Sequence, residues 1–309
     1  MSIESLVAEL GKISNNEMCR YMFIPNKTVD LDSLRRANII KHKSARAVVK
    51  NVSYSNTPFY RLIYPFVSIE NNDNDVTEAF KEAINTGVKD VIIGSNMLDY
   101  YSKVIPDFDK SKLQQMVEFT DYYSDLDTRF VEYNENKFIK QHKIRQFQND
   151  IELRRLVFND FYDVAELYST WKESKQLHNT RSFNIFFDPD NFYRNINMND
   201  KFIYGIFFKG KLITWGIINF HGTDNKIAYE EVQQCYNRNM LPPDFELTEE
   251  NNKFISNIGQ INYYYLYKYL KERGVKIVHC AGSATGNVSL MNYKMNLYKN
   301  KLDYYKYIF

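Results

Sequence analysis

Two adjacent carboxylates stand out in the stretch Tyr229-Glu230-Glu231-Val232. The run around them, Lys226–Asn237, alternates in part and is predicted to be a strand. Side chains on a strand point to opposite faces in turn, so Glu230 and Glu231 face different ways. One of them could face a cleft and act as a general base. Both could equally be ordinary strand-edge charges. A second place is Gly282-Ser283-Ala284-Thr285-Gly286-Asn287, which leads into a predicted helix at 287–299. Backbone N–H groups at such a start can hold an anion, and Asn287 can also simply cap the helix. Lys294 on that helix could neutralise a phosphate or carboxylate, or point to solvent. His279, beside Cys280 in an apolar run, is read as a satisfied core histidine with a site role left open.

The elements that must position these residues follow from two similar segments. Thr86-Gly-Val-Lys-Asp-Val-Ile-Ile-Gly-Ser95 and Arg273-Gly-Val-Lys-Ile-Val-His-Cys-Ala-Gly-Ser283 share a GVK start, an apolar run and a Gly-Ser end. A helical pattern precedes each, Val76–Asn85 and Ile261–Lys271. Gly87 and Gly274 then sit where a helix ends on a glycine cap. Val88–Ile93 and Val275–Cys280 read as buried strands. The two copies lie too far apart for a solenoid and suit two related domains in tandem. Chance similarity of a common helix–strand unit is the alternative. The boundary is expected within the polar stretch Asp125–Lys137, giving domains 1–125 and 126–309. Phe138–Gln148, with Lys140, Lys143, Arg145 and His142, reads as a basic amphipathic helix. It is either a solvated face or a contact for an anionic donor such as tRNA.

The second half has a clearer order. Ile151–Phe158 reads as a strand, and Asn159 or Asp160 as the cap of a helix over Phe161–Lys175. Asp188–Asn197 reads as another helix, with Pro189 in its first turn. Phe202–Phe208 and Leu212–Phe220 flank Lys209-Gly210-Lys211, a hairpin signal. The segment from Pro242-Pro243 to Asn252 reads as an acidic loop, followed by a helix over 261–273 and a last strand over Leu302–Phe309.

Composition excludes several classes. At 44% hydrophobic residues the chain is too apolar to be disordered. Its 11 Gly argue against a glycine-rich nucleotide fold, although 25 Tyr and 22 Phe give it ample core material. A net charge of +2 gives no reason to expect broad nucleic-acid binding. Cys19, Cys235 and Cys280 are widely spaced and odd in number, so neither a disulfide framework nor a zinc site is expected. No metal is expected elsewhere. Met1–Lys12 lacks the form of a signal peptide, and no run approaches a membrane span. A reduced, cytoplasmic protein is the expectation. Walker, GxGxxG, HExxH and GxSxG patterns are all missing from the sequence.

The predicted order β, α, α, β, β, β, α, β, α, β over Ile151–Phe309 resembles that of the GNAT superfamily of acyltransferases. Ile203–Gly216 resembles the family's hairpin. Asn292-Tyr-Lys-Met-Asn-Leu-Tyr298-Lys-Asn-Lys-Leu302 resembles its closing pattern. With the repeat, the chain resembles the tandem GNAT-like enzymes, the Fem peptidyltransferases and the C-terminal domain of phosphatidylglycerol lysyltransferases. The resemblance is close in the second half and weak in the first. It implies an α/β (α+β) fold of two tandem GNAT-like domains, each a mixed central sheet flanked by helices, the first more degenerate. It also implies transfer of an acyl or aminoacyl group from an activated donor to an amine or hydroxyl of a small-molecule or peptide-like acceptor.

By that resemblance Tyr298 falls where a general acid is placed, although core packing explains it too. Glu230 or Glu231 would be the base. Gly282, Leu290 and Lys294 match a Gly-ending strand followed by a helix bearing an apolar residue and a lysine. The donor turn would be Ser256-Asn-Ile-Gly-Gln-Ile-Asn262, making Gly259, Gln260 and Asn262 donor-binding with Gly282, Ser283, Asn287 and Lys294. That turn holds one glycine, which allows one close approach of backbone to phosphate and not a full cradle. Aminoacyl-tRNA therefore stands beside acyl-CoA as donor. Trp171 and His178 lie where an acceptor site would begin. The competing readings are a non-catalytic GNAT-like binding module and a transferase acting on nucleic acid.

Overall fold

The computed structural model describes residues 38–49, 66–128, 149–174, 188–199, 201–221, 227–236, 240, 248–283, 291–292, 294–295, 298 and 300–309. Contacts divide the chain into two units. The first comprises Met1–Ser124, His221–Ile227 and His279–Phe309, and the second Asp125–Phe220 and Ala228–Val278.

In the first unit, β1 (Asn38–His42) and β2 (Ala45–Val49) form an antiparallel hairpin, and β3 (Val67–Ser68) pairs with β2. Helix α1 (Asp73–Asn85) starts on Asn72, whose side chain accepts from the Asn74 N–H, with Asp73 and Asp75 in the first turn. It ends at Gly87, which takes φ +77°. The Val88 N–H then reaches back to the Ala83 carbonyl at 3.1 Å, which closes the helix end. The expected cap at Gly274 has the same form: φ is +80°, and Val275 N–H bonds to the Leu270 carbonyl at 3.0 Å. Strand β4 (Asp90–Gly94) follows, then α2 (Leu98–Val104) and the long β5 (Leu113–Asp125).

The last strand, β11 (Asn300–Ile308), lies between β4 and β5 and is antiparallel to both. Its Tyr307 joins an aromatic core. The Phe80 ring meets Phe66, Tyr307 and Phe309 edge-on at 5.1–5.5 Å between centroids, and Phe108 stacks on Tyr307 at 4.8 Å. Much of the aromatic surplus of the composition is thus packing material. Because β11 pairs with two strands that precede residue 126, His279–Phe309 packs with the first unit. Contacts therefore group the C-terminal segment differently from the sequential division into 1–125 and 126–309.

In the second unit, β6 (Ile151–Arg155), β7 (Lys201–Phe208), β8 (Lys211–His221) and β9 (Ile227–Cys235) are neighbours in the order β9-β8-β7-β6. The β7–β8 turn is Lys209-Gly210, with φ of 50° and 78°, the positive pair that a two-residue hairpin requires. Helices α3 (Phe161–Ser174), α4 (Pro189–Ile196), α5 (Glu249–Ile255) and α6 (Ile258–Glu272) also belong to this unit. Strand β10 (Ile277–Ser283) has Ile277 and Val278 in this unit and the rest in the first.

Three expectations are corrected. The strand expected to reach Phe158 stops at Arg155, because Asp160 folds back and accepts from the Val157 N–H at 2.7 Å. Asp160 is therefore no simple helix cap. It lies in a 3-10 turn, Phe158–Asp160, that runs straight into α3. The acidic loop ends earlier than expected, since Glu249 already begins α5. Phe138–Gln148 lies outside the described residues.

Candidate active site

The second unit holds a buried polar group of residues on β7, β9 and α6. On α6 the buried face runs Ile258, Asn262, Leu266, Leu270, four residues apart, with Asn262 wholly buried. That spacing keeps all four on one face of a helix. An asparagine thus occupies a position where the pattern calls for Leu or Ile. Neither Oδ1 nor Nδ2 of Asn262 has a hydrogen-bond partner among the described residues. Each such buried atom costs about 1–3 kcal/mol.

Tyr204 on β7 is also wholly buried, and its hydroxyl likewise has no hydrogen-bond partner among the described residues. It is directly opposite Gly216 on β8. A Cβ at Gly216 would lie 2.6 Å from both Cε1 and Oη of Tyr204 and 2.7 Å from Cζ. The far end of the ring therefore lies over Gly216, across β8, and the strand beyond β8 is β9. Glu230, on β9, is buried. Burial first, and then the Glu230 carboxylate, drives the Tyr204 hydroxyl well above the usual phenol range. The nearby Asn262 amide draws it partly back, without completing a hydrogen bond, and Cys235 and Tyr267 push it up further. The phenol stays protonated at any working pH.

Flanking residues fix this arrangement. Trp215 Nε1 donates to Gln234 Oε1 at 2.9 Å, and the Tyr263 hydroxyl on α6 donates to Gln233 Oε1 on β9. These bonds tie β8 and α6 to β9 at adjacent positions beyond Glu230. At the other edge, Arg154 makes two bonds to Asp160, at 2.7 and 2.8 Å, with its guanidinium 3.9 Å from the Phe207 ring centroid. Burial works against the charged form of Asp160, but the Arg154 and Val157 bonds outweigh it and hold the carboxyl below its ordinary value. The next residue, Arg155, donates to the carbonyls of Ile196 and Lys201, both at 2.8 Å.

The structure places Asn262 near the Tyr204 hydroxyl, and Glu230 is buried on β9 with its charge felt at that hydroxyl. Glu231 follows on β9, and its side chain is outside the described residues. Gly259 and Gln260 lie in the first turn of α6 and not in a preceding loop; Gln260 points to solvent. Only Ser256-Asn257 separates α5 from α6. Trp171 is half-buried on α3, its ring stacked on Tyr168 at 6.4 Å. His178 and Asn287 lie outside the described residues.

Gly282, Ser283, Lys294 and Tyr298 belong to the first unit. Gly282 and Ser283 end β10. Lys294 is half-buried, and Tyr298 is buried with its carbonyl accepting from Ser124 Oγ at 3.1 Å. His279 is buried too, its ring tilted against Tyr123 at 5.8 Å. Among the described residues no cluster of metal-ligating side chains occurs, and no helix is long and apolar enough to cross a membrane.

Sequence reasoning missed Tyr204 and Gly216. A signal was present: Gly216 is a lone glycine inside the apolar run Leu212–Phe220. A glycine there marks a close approach.

No family model matches the chain, and no curated protein matches it. Solved structures do. FemX aligns with TM-score 0.54 at 10% identity, covering 100% of this chain and 96% of that one. A conserved protein of unknown function from Bacteroides thetaiotaomicron aligns with TM-score 0.51 at 11% identity over 96% and 90%. L-PGS from Bacillus licheniformis gives TM-score 0.50 at 13% identity over 99% and 92%. Nearly the whole length of each is matched, across both units. The fold of this chain is the tandem GNAT-like fold shared with FemX and L-PGS.

Proposed function

We propose that the chain is an acyl- or aminoacyltransferase in which Glu230 is the general base. The burial of the Glu230 carboxylate on β9 is the observation that supports this. A carboxylate away from water can accept the proton of an amine as the amine attacks the donor carbonyl. The new bond is C–N. The tetrahedral intermediate expels the donor's leaving group, a thiolate from acyl-CoA or a ribose oxygen from aminoacyl-tRNA, which takes up a proton.

Aminoacyl-tRNA is the preferred donor. Gly259 is the sole glycine in Ser256–Asn262, and it lies inside α6, so the chain has no glycine-rich turn there for a pyrophosphate. The likeness in fold to FemX and L-PGS supports the same donor class. The acceptor is a primary amine on a small or peptide-like molecule. The chain then works in the cytoplasm, where charged tRNA is made. The test is incubation with acetyl-CoA and with charged tRNA pools, each against a panel of primary amines, with products read by mass. Transfer from charged tRNA is expected, and Glu230→Gln should lower kcat by about 10²–10⁴-fold. Full activity in Glu230→Gln, or no transfer from any donor, would refute the reading.

A further inference from the structure

We propose that Val157, Phe158, Tyr162 and Tyr193 form a docking face for a partner protein whose contact surface is apolar and ringed by lysine and arginine. The face is built where β6 ends. Asp160, gripped by Arg154, accepts from the Val157 N–H at 2.7 Å, so the chain turns there. Val157 and Phe158 are left 52% and 47% exposed at the turn. Tyr162, the second residue of α3, is 79% exposed. Tyr193 on α4 is 57% exposed, and its ring meets Phe158 edge-on at 5.9 Å. The Tyr162 ring meets Phe161 edge-on at 5.5 Å, and Phe161, itself buried, meets the buried Phe192 at 5.5 Å. These contacts join the turn, α3 and α4 into one surface. The exposed rings stand on a fixed base, so little order is lost when a partner covers them.

Single exposed apolar residues are ordinary, but four large ones gathered from neighbouring elements mark a contact surface. Charge says what covers it. Asp163 follows Tyr162 on α3, Glu166 lies one turn after Tyr162, and Asp190 lies one turn before Tyr193 on α4. All three carboxylates are exposed. The base beside them, Arg194, is turned onto its own helix, donating to Asn191 Oδ1 at 2.8 Å and to the Asp190 carbonyl at 3.3 Å. The rim is therefore net acidic. The rings add to this, because aromatic faces attract guanidinium and ammonium groups. Nucleic acid and acidic lipid meet repulsion at such a rim. A second copy bound through the same face would set like carboxylates against each other. A basic, apolar protein surface suits both the rings and the rim.

The probe is a fluorescein-labelled amphipathic helix of leucine and arginine, about four turns long, titrated with the full chain and read by anisotropy. A twin with glutamate in place of arginine is the control. The arginine helix is expected to bind and the glutamate twin to stay free. Tyr162→Ser combined with Tyr193→Ser should weaken binding by about tenfold or more. Asp163→Asn combined with Glu166→Gln should weaken it by about threefold or more and flatten its salt dependence. Ile84→Ser, at a position 46% exposed on α1 in the first unit, should leave it unchanged. All these side chains lie at the surface, so the variants are expected to fold, which circular dichroism checks. Should the tyrosine pair misfold, the acid pair and the glutamate twin decide. Equal binding of the glutamate twin overturns the proposal. So does binding that is unmoved in the folded tyrosine pair, or weakened as much by Ile84→Ser. Sedimentation of the protein alone is a further check: a dimer that the tyrosine pair dissolves would make a second copy the occupant and overturn the proposal. Co-sedimentation with phosphatidylserine vesicles that the tyrosine pair abolishes would make it a lipid surface and overturn it likewise.

Discussion

Arg154 and Asp160 show how much one residue pair can hold. The fork of two bonds ends β6, shapes the turn and launches α3. Removing the guanidinium leaves a buried carboxylate bonded only to the Val157 N–H. Arg154→Met is expected to cost about 1.5–3 kcal/mol, read from urea unfolding. Asp160 has a lowered folded pKa, so its stabilisation is full above the unfolded carboxylate range and fades as pH falls through the folded value. In Arg154→Met the stability should therefore depend less on pH below about 5 than in the unmodified protein. A variant with unchanged acid sensitivity would show that the pair contributes little. Neither partner was visible as a pair in the sequence. Asp160 looked like a cap because it precedes an apolar helix, and only the fold shows its carboxylate turned back on Arg154.

At the scale of elements, α6 carries a conflict between packing and chemistry. Its face Ile258, Asn262, Leu266, Leu270 is a core stripe with one polar interruption. Asn262→Leu should raise the melting temperature, because two unpartnered buried atoms become packing, and should lower transfer activity. Calorimetry and the transfer assay together check this; a drop in both would mean that the amide holds the fold. The β7–β8 hairpin gives a simpler expectation. Gly210 sits at φ 78°, so Gly210→Ala should cost about 1 kcal/mol, and the hairpin's turn should remain.

Most elements were legible because each rests on local signals. Gly87 and Gly274 announced helix ends, Pro189 a helix start, and Lys209-Gly210 a hairpin. Helix α5 was not legible, since Glu249-Glu250-Asn251-Asn252 is polar and its start follows a proline-containing acidic run. Of the site, the carboxylate at 230 and Asn262 were named from the sequence. The placing of Tyr204 over Gly216 depends on strand register across β7 and β8, which no local pattern encodes.

At the scale of the molecule, the two units draw on the chain in different ways. The second unit takes its residues from a stretch that ends at Val278, and the first takes residues from its beginning, middle and end. The aromatic core of the first unit joins Phe80 on α1 to Tyr307 and Phe309 near the far end of the chain. Tyr307 is 1% exposed, and its hydroxyl accepts from the Asp109 N–H at 3.2 Å. Tyr307→Ala is expected to destabilise the first unit by about 3–5 kcal/mol. Limited proteolysis should then cut first within α1 to β5. Cleavage that begins in α6 would place the weakness elsewhere.

The position of β11 has a consequence for synthesis. A ribosome makes β4 and β5 early, yet the strand that separates them emerges after every residue of the second unit. Until it arrives, the facing edges of β4 and β5 carry backbone groups that await a partner. The unit begun first is therefore the one completed last. Its unfinished sheet is the nascent chain's point of exposure to chaperones and to mispairing.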